Sequence, residues 1–224
     1  MGDMMASCHD GRQEVMIPAQ QALQKLRDGN RRFVADDSDH TKLTHRKSRD
    51  EVAAAQAPFA IVLGCSDSRV PTEIIFDQGL GDLFVIRVAG NIVAASQVGS
   101  IEFAAEHFGA RLIVVMGHSR CSAILTTLQE LERPADSRSP NVAAIVDFIR
   151  PSVQGLLQSR NRLGHDELVS QAIKENIRNS VSHLKLHSDI LRRMIRDNGL
   201  LVIGAQYSLG TGVVSFFDDL VDGD

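Results

Sequence analysis

No apolar run in this chain comes near the ~20 residues that a membrane-spanning helix requires; the longest, FAIVLG and LIVVMG, are strand-sized. The opening MGDMMASCHDGRQEVM lacks the basic start and apolar centre of a secretory signal. It also misses a myristoylation pattern, because Ala6 stands where Ser or Thr is required. Positive charge is not in excess: Lys and Arg total 24 against 28 acidic residues, for a net charge of -4. That balance speaks against nucleic acid or an anionic membrane as the main partner. Cysteine is scarce, with Cys8, Cys65 and Cys121 making an odd total of 3. So few thiols do not make a disulfide scaffold; they fit a reducing, cytoplasmic setting, where cysteines more often bind metal or react. Tryptophan is absent, and no internal repeat or low-complexity block occurs. No G-x-G-x-x-G follows an apolar strand pattern, which excludes a dinucleotide-binding reading.

What is present is ordinary globular composition, 43% hydrophobic and 23% charged, in a length of 224 residues that suits one sizeable α/β domain. Residues 1–16 read as a flexible tail in which Cys8 has no chemical neighbour. Residues 17–57 form an N-terminal helical arm: Ala19, Ala22, Leu23 and Leu26 recur at helical spacing, and Gly29-Asn30 is expected to end the helix. Asp36 to Asp50 is polar, a loop or short exposed helix. The α/β domain spans 58–224.

There, FAIVLG, DLFVIRVAG, RLIVVMG and LLVIGAQYS are continuous apolar runs, as expected of strands covered on both faces, and GVVSFF is expected at an edge. SQVGSIEFAAEHFG reads as a helix capped by Gly109. AILTTLQELE is a helix ending at Pro134, and VAAIVDFI a short one after Pro140. The stretch from His165 to Ile195 reads as one long helix, with Val169, Ala172, Ile173, Ile177, Val181, Leu184 and Leu191 on one stripe and Gly199 beyond its end. Alternating strands and helices predict a mostly parallel central sheet of order 2-1-3-4 plus an edge strand, flanked by helices. Ligands in such sheets bind beyond the carboxyl ends of the strands, where the order reverses. Cys65 ends the first apolar strand and His118 the third, so this topology makes them neighbours.

The sequence LGCSDSRVP places Asp67 and Arg69 two and four residues after Cys65, and MGHSRCSA sets His118 three residues before Cys121. Cys65, His118 and Cys121 together supply the sulfur and nitrogen donors that zinc takes tetrahedrally, with a fourth position left for water. Cys121 at a helix start should lose its proton readily. The same spacing also fits two buried thiols and a core histidine, or a redox pair. Asp67 can close the site as a fourth ligand. Alternatively, Arg69 holds it in a bidentate pair, leaving an ionised carboxylate that only accepts hydrogen bonds.

CSDSR followed by an H-x-x-C motif resembles the β-class carbonic anhydrases, and the resemblance extends through LQKLRDGNRRF, VPTEIIFDQGLGDLFVIRVAGN, GSIEFAAEHFG and GAQYSLGTGVV. It implies one Zn2+ per chain on Cys65, His118 and Cys121, an Asp67–Arg69 catalytic dyad, and reversible hydration of carbon dioxide to bicarbonate. It also implies a homodimer, often paired into a homotetramer, in which the N-terminal arm wraps the partner. Gln56 and Phe84 match cleft positions, and Phe103 stands where plant-like members carry tyrosine; with Val88, the two phenylalanines offer an apolar wall. Two departures stand out: Ser122 replaces a usual glycine, and Val62 occupies the tryptophan position of a regulatory bicarbonate pocket whose arginine and tyrosine match Arg87 and Tyr207.

Rival readings are a carbonyl sulfide or carbon disulfide hydrolase on the same scaffold, and a non-catalytic zinc or redox protein. His45 and His107 are candidate proton shuttles or ordinary surface and packing histidines. His183 and His187, four apart on a helix, fit a second metal site or a solvated face.

Overall fold

Along the inner strands, apolar residues point alternately to two sides, and each side is covered by helices. The structure, a computed structural model, describes residues 17–39, 41, 52–53, 55–132, 139–157 and 164–217. The expected tail with Cys8, most of the segment from Asp36 to Asp50 with His45, and Pro134 lie outside the described residues.

Five strands, β1 (Ala60–Gly64), β2 (Leu83–Arg87), β3 (Leu112–His118), β4 (Leu201–Tyr207) and β5 (Val214–Phe217), form one sheet. Its order is β2-β1-β3-β4-β5. All neighbours are parallel except β4 and β5, which is the expected architecture. Ile61, Leu63, Ile113, Val115 and Val202 face one core, while Ala60, Val62, Leu112, Val114, Met116 and Ile203 face the other. This period of two follows from the pleat. Against the second face pack α1 (Ala19–Val34) and the short α2 (Thr72–Ile75). Against the first lie α3 (Ala95–His107), α4 (Ser122–Glu132), α5 (Pro140–Leu157), α6 (His165–His187) and α7 (Asp189–Asn198). Gly109 and Gly199, with φ of 69° and 67°, sit just past α3 and α7, where glycine relieves the left-handed turn.

Three helix boundaries differ from expectation. Gly29-Asn30 does not end α1, which runs on to Val34. A Cβ at Gly29 would lie 1.8 Å from the Phe76 carbonyl oxygen, so the glycine permits a close approach rather than a turn. Asn30 is 5% exposed and bridges three segments. Its Nδ2 donates to Ile75 O at 3.2 Å and Gly212 O at 2.9 Å, while its Oδ1 accepts from Val214 N at 2.8 Å.

The helix after Pro140 is not short but 18 residues long, running through Pro151. Val146, Ile149 and Val153 stay buried across it, while Pro151 and Asp147 are exposed. The backbone bond that proline cannot donate is therefore lost on the solvent side.

Finally, the expected single long helix is two. Ser188 leaves helical geometry at φ -113°, ψ 114° and caps α7, its Oγ accepting from Leu191 N. The same hydroxyl donates to Glu102 on α3 at 2.6 Å. A serine capping bond within reach of a carboxylate outweighs the continuous apolar stripe.

The order reverses between β1 and β3: the chain leaves β1 for β2 on one side and returns for β3 on the other. The carboxyl ends of these two parallel strands form the crevice in which the candidate residues meet.

Candidate metal centre

Cys65 follows the last residue of β1, His118 is the last residue of β3, and Cys121 immediately precedes α4. The strands register Gly64 with Met116, so Cys65 and His118 emerge side by side. Between the second and third ligand, Arg120 takes a φ of 56°, which turns the chain back so that Cys121 faces His118. That left-handed conformation costs a non-glycine residue about 1–2 kcal/mol, and it is held by outside bonds. Ser119 N donates to Tyr207 O at 2.9 Å, and Leu209 N to Ser119 Oγ at 2.9 Å.

The three ligand atoms lie within 4.8 Å of one another, and all three residues are buried. The sulfurs are 4.0 Å apart and unbonded. Two sulfurs sharing a tetrahedral zinc at about 2.3 Å each would be about 3.8 Å apart, close to this spacing. His118 Nδ1 sits 3.0 Å from Ser119 O, an acceptor only, so Nδ1 carries the proton and Nε2 presents a lone pair. Nε2 is buried and has no hydrogen-bond partner among the described residues. An orphaned buried acceptor facing two thiols is what a bound dication would satisfy. The donor set fits zinc.

The thiols are electronically unequal. The Cys121 thiol as hydrogen-bond donor holds Cys65 far below the ordinary thiol value, with further help from the Gly90 and Asp67 amides, although burial opposes it. Cys121 is correspondingly pushed up by its bond to Cys65 and by burial, against the opposing N–H groups of Ile124 and Ala123 at the start of α4. One proton is thus shared by the pair, which a metal would displace.

Asp67 does not join the cluster. Arg69 donates from Nε to Oδ1 at 2.9 Å and from Nη2 to Oδ2 at 2.6 Å, and its backbone N–H reaches Oδ1 at 2.9 Å. The guanidinium holds the Asp67 carboxyl well below the usual carboxylate range, although burial opposes it. Oδ2 stands 3.9 Å from His118 Nε2.

Arg87, known from the sequence only as a family correspondence, has a definite place. It donates to Cys65 O at 3.0 Å and to Asp67 O at 2.6 Å, bracketing the loop that carries both. Gly90 N donates to Cys65 Sγ at 3.4 Å. Sequence reasoning missed this bond because a backbone amide leaves no side-chain signature; the RVAGN run, with glycine directly after a strand, was the available signal. Ser122 is exposed at the start of α4, away from the buried ligands.

The remaining candidates scatter. Phe84 lies 6.4 Å from Phe103, which stacks on His107 at 5.0 Å. Phe103 is 52% exposed. Val88 is half-buried against the core beneath α3 to α7. Gln56 is exposed and lines a hollow with Val52, Ala53, Ala55 and Gly81, by the chain entering β2. That is the opposite end of the sheet from the three ligands. Val62 is fully buried in β1, and Tyr207 is buried in β4. His183 and His187 pair at 4.6 Å on α6.

A family model described as Carbonic anhydrase matches residues 60–214. The carbonic anhydrase of Mycolicibacterium smegmatis is 37% identical over 202 residues, covering 90% of this chain and 94% of the relative. Carbonic anhydrase 2 of Mycobacterium tuberculosis is 37% identical over 195 residues, covering 85% of this chain and 89% of the relative. Among solved structures, the β-carbonic anhydrase CcaA matches with a TM-score of 0.72 at 26% identity, over 90% of this chain and 91% of that one. A β-carbonic anhydrase of Sordaria macrospora matches with a TM-score of 0.68 at 25% identity, over 75% of this chain and 85% of that one. Matched along most of its length in sequence and in fold, and carrying the Cys–His–Cys cluster at its sheet switch point, this chain belongs to the carbonic anhydrase family, in its β class.

Proposed function

We infer that this chain is a zinc enzyme that reversibly hydrates carbon dioxide to bicarbonate and a proton. The observation that carries this reading is the convergence of Cys65, His118 and Cys121 beside a carboxylate that Arg69 holds off the ligands. Zinc bound by these three residues supplies Lewis acidity that brings the ionisation of water toward neutral pH and so provides the nucleophile.

The other residues set the geometry. Asp67, kept ionised by Arg69, accepts hydrogen bonds and donates none. A water beside it is therefore oriented with its O–H toward the carboxylate and a lone pair toward the substrate. Carbon dioxide is apolar, and Phe84, Val88 and Phe103 are the apolar side chains proposed to receive it, the rings of Phe84 and Phe103 lying 6.4 Å apart. Arg87 holds the carbonyls of Cys65 and Asp67, so ligand and dyad keep one spacing.

The working unit is a homodimer or homotetramer in the cytoplasm. Phe103 exposes half its ring beside Phe84, and Gln56 lies far from the ligands of its own chain, which supports a cleft completed by a second copy. The matched Sordaria macrospora enzymes are tetrameric. Among the described residues no helix is long and apolar enough to cross a membrane.

Zinc content together with stopped-flow carbon dioxide hydration tests the reading. One zinc per chain and hydration lost in Cys65→Ala are expected. A fully active protein after exhaustive chelation would overturn it.

A further inference from the structure

Each sulfur of the cluster receives backbone N–H groups, but from sources of different rigidity. Cys121 takes them from the start of α4, a regular helix. Cys65 takes one from Asp67 in its own loop and one from Gly90, in a single 3-10 turn (Ala89–Asn91) where Gly90 and Asn91 have φ of 71° and 45°. Such a turn has little internal support. The support comes from α6, 86 residues further along the chain: Asn176 Nδ2 donates to Gly90 O at 2.9 Å. One turn on, Ser180 Oγ donates to Asn91 O at 3.3 Å.

Asn176 is 2% exposed and interrupts the apolar stripe between Ile173 and Ile177. For packing alone, an aliphatic residue would serve there. The approach of α6 is itself built in. A Cβ at Gly117 would lie 2.7 Å from Ile177 Cδ1, and one at Gly90 2.7 Å from Ile149 Cδ1. The first glycine lets Ile177 of α6 pack on β3, and the second, whose positive φ already favours glycine, lets Ile149 of α5 pack on the turn.

We propose that Asn176 is a positioning residue for the metal centre: by fixing the Gly90 carbonyl, it aims the Gly90 N–H at the Cys65 sulfur and so sets that ligand's orientation and charge. An N–H on a thiolate withdraws charge from the sulfur and fixes its lone pairs. Outer contacts of this kind tune both affinity and reactivity of a metal. The inference rests on Cys65 being a zinc ligand.

The test measures zinc dissociation constants by competition with a chromogenic chelator. Wild type, Cys65→Ala, Asn176→Leu, Asn176→Ala and Asn30→Leu are compared. Asn30→Leu removes a buried asparagine on the other face of the sheet and controls for general destabilisation. Zinc binding by Asn176→Leu is expected to weaken roughly 10- to 100-fold, with Asn30→Leu unchanged; Asn176→Ala is read if the leucine variant does not fold. Independently, 113Cd-substituted wild type should show a proton–cadmium correlation at the Gly90 amide, transmitted through the Cys65 sulfur and lost in the Asn176 variant. Zinc affinity within twofold of wild type in the Asn176 variants, or no Gly90 correlation in a cadmium-loaded wild type, overturns the proposal. Undiminished zinc binding by Cys65→Ala would instead remove the ligand assignment.

Discussion

Asp67 Oδ2 stands 3.9 Å from His118 Nε2, and both oxygens of that carboxylate are engaged by Arg69. The distance is short enough for Asp67 to share a water with the ligand cluster, and the ion pair keeps it from becoming a ligand itself. Much of the chemistry expected of this chain depends on that separation.

Replacing Asp67 with Asn should therefore separate metal binding from turnover. Zinc content should stay at wild-type level, while kcat for hydration falls on the order of 100-fold. Arg69→Gln should behave alike, since the released carboxylate is free to approach the cluster. A full hydration rate in Asp67→Asn would remove this residue from the mechanism.

Stripping the metal should cost stability as well as activity. A ligand present at about 1,000 times its Kd stabilises the folded state by about 4 kcal/mol, on the order of 10 °C in Tm for a chain of this size. Calorimetry before and after chelation, followed by zinc readdition, checks both the loss and its reversal. An unchanged Tm would mean that the cluster is not filled in the folded protein.

Hydration should rise from pH 6 toward pH 9. Two anionic sulfurs cancel much of a dication's charge, so water beside it ionises less readily than at a three-histidine site. Asp67 is held well below the usual carboxylate range, first by Arg69, and stays charged throughout this window. It contributes no acidic limb there. A flat profile in stopped-flow assays would contradict this account.

His183 offers a separate pH effect, on stability. Burial, and then the neighbouring His187, hold its pKa below the ordinary imidazole value. The folded state thus binds fewer protons than the unfolded one as pH falls below about 6.5, and stability declines there. His183→Gln should reduce the Tm difference between pH 7.5 and pH 5.5; an equal difference in both proteins would count against it.

Asn30 should be a stability residue without a metal role. It satisfies two carbonyls and one amide across α1, α2 and β5. Asn30→Ala should cost about 2–4 kcal/mol in denaturant unfolding, because these buried groups lose their partner. Zinc affinity should not move.

The centre was legible in the linear chain because its parts are local. Cys65, Asp67 and Arg69 share one strand-end loop, and His118 and Cys121 another, so periodicity alone put both at carboxyl ends. Two of the three misreadings share a different cause. Gly29-Asn30 carries a helix-stop signal, yet the glycine admits the Phe76 backbone and the asparagine bonds residues up to 184 positions away. Ser188 interrupts an unbroken apolar stripe through bonds to Leu191 and to Glu102, 86 residues distant. In each case a long-range hydrogen bond or contact overrode a local preference worth about 1 kcal/mol or less.

By itself, the sequence determined the strands, their parallel order, the two buried faces and the identity of the donor atoms. These follow from the period of apolar residues and from side-chain chemistry, both carried within a few positions. The tertiary structure alone decided that Nε2 of His118 would be left without a partner, that Arg69 would occupy both oxygens of Asp67, and that Asn176 would reach Gly90. Those outcomes depend on distances between segments far apart in the chain, which exist only once the sheet has brought β1 and β3 together and α6 has closed against them.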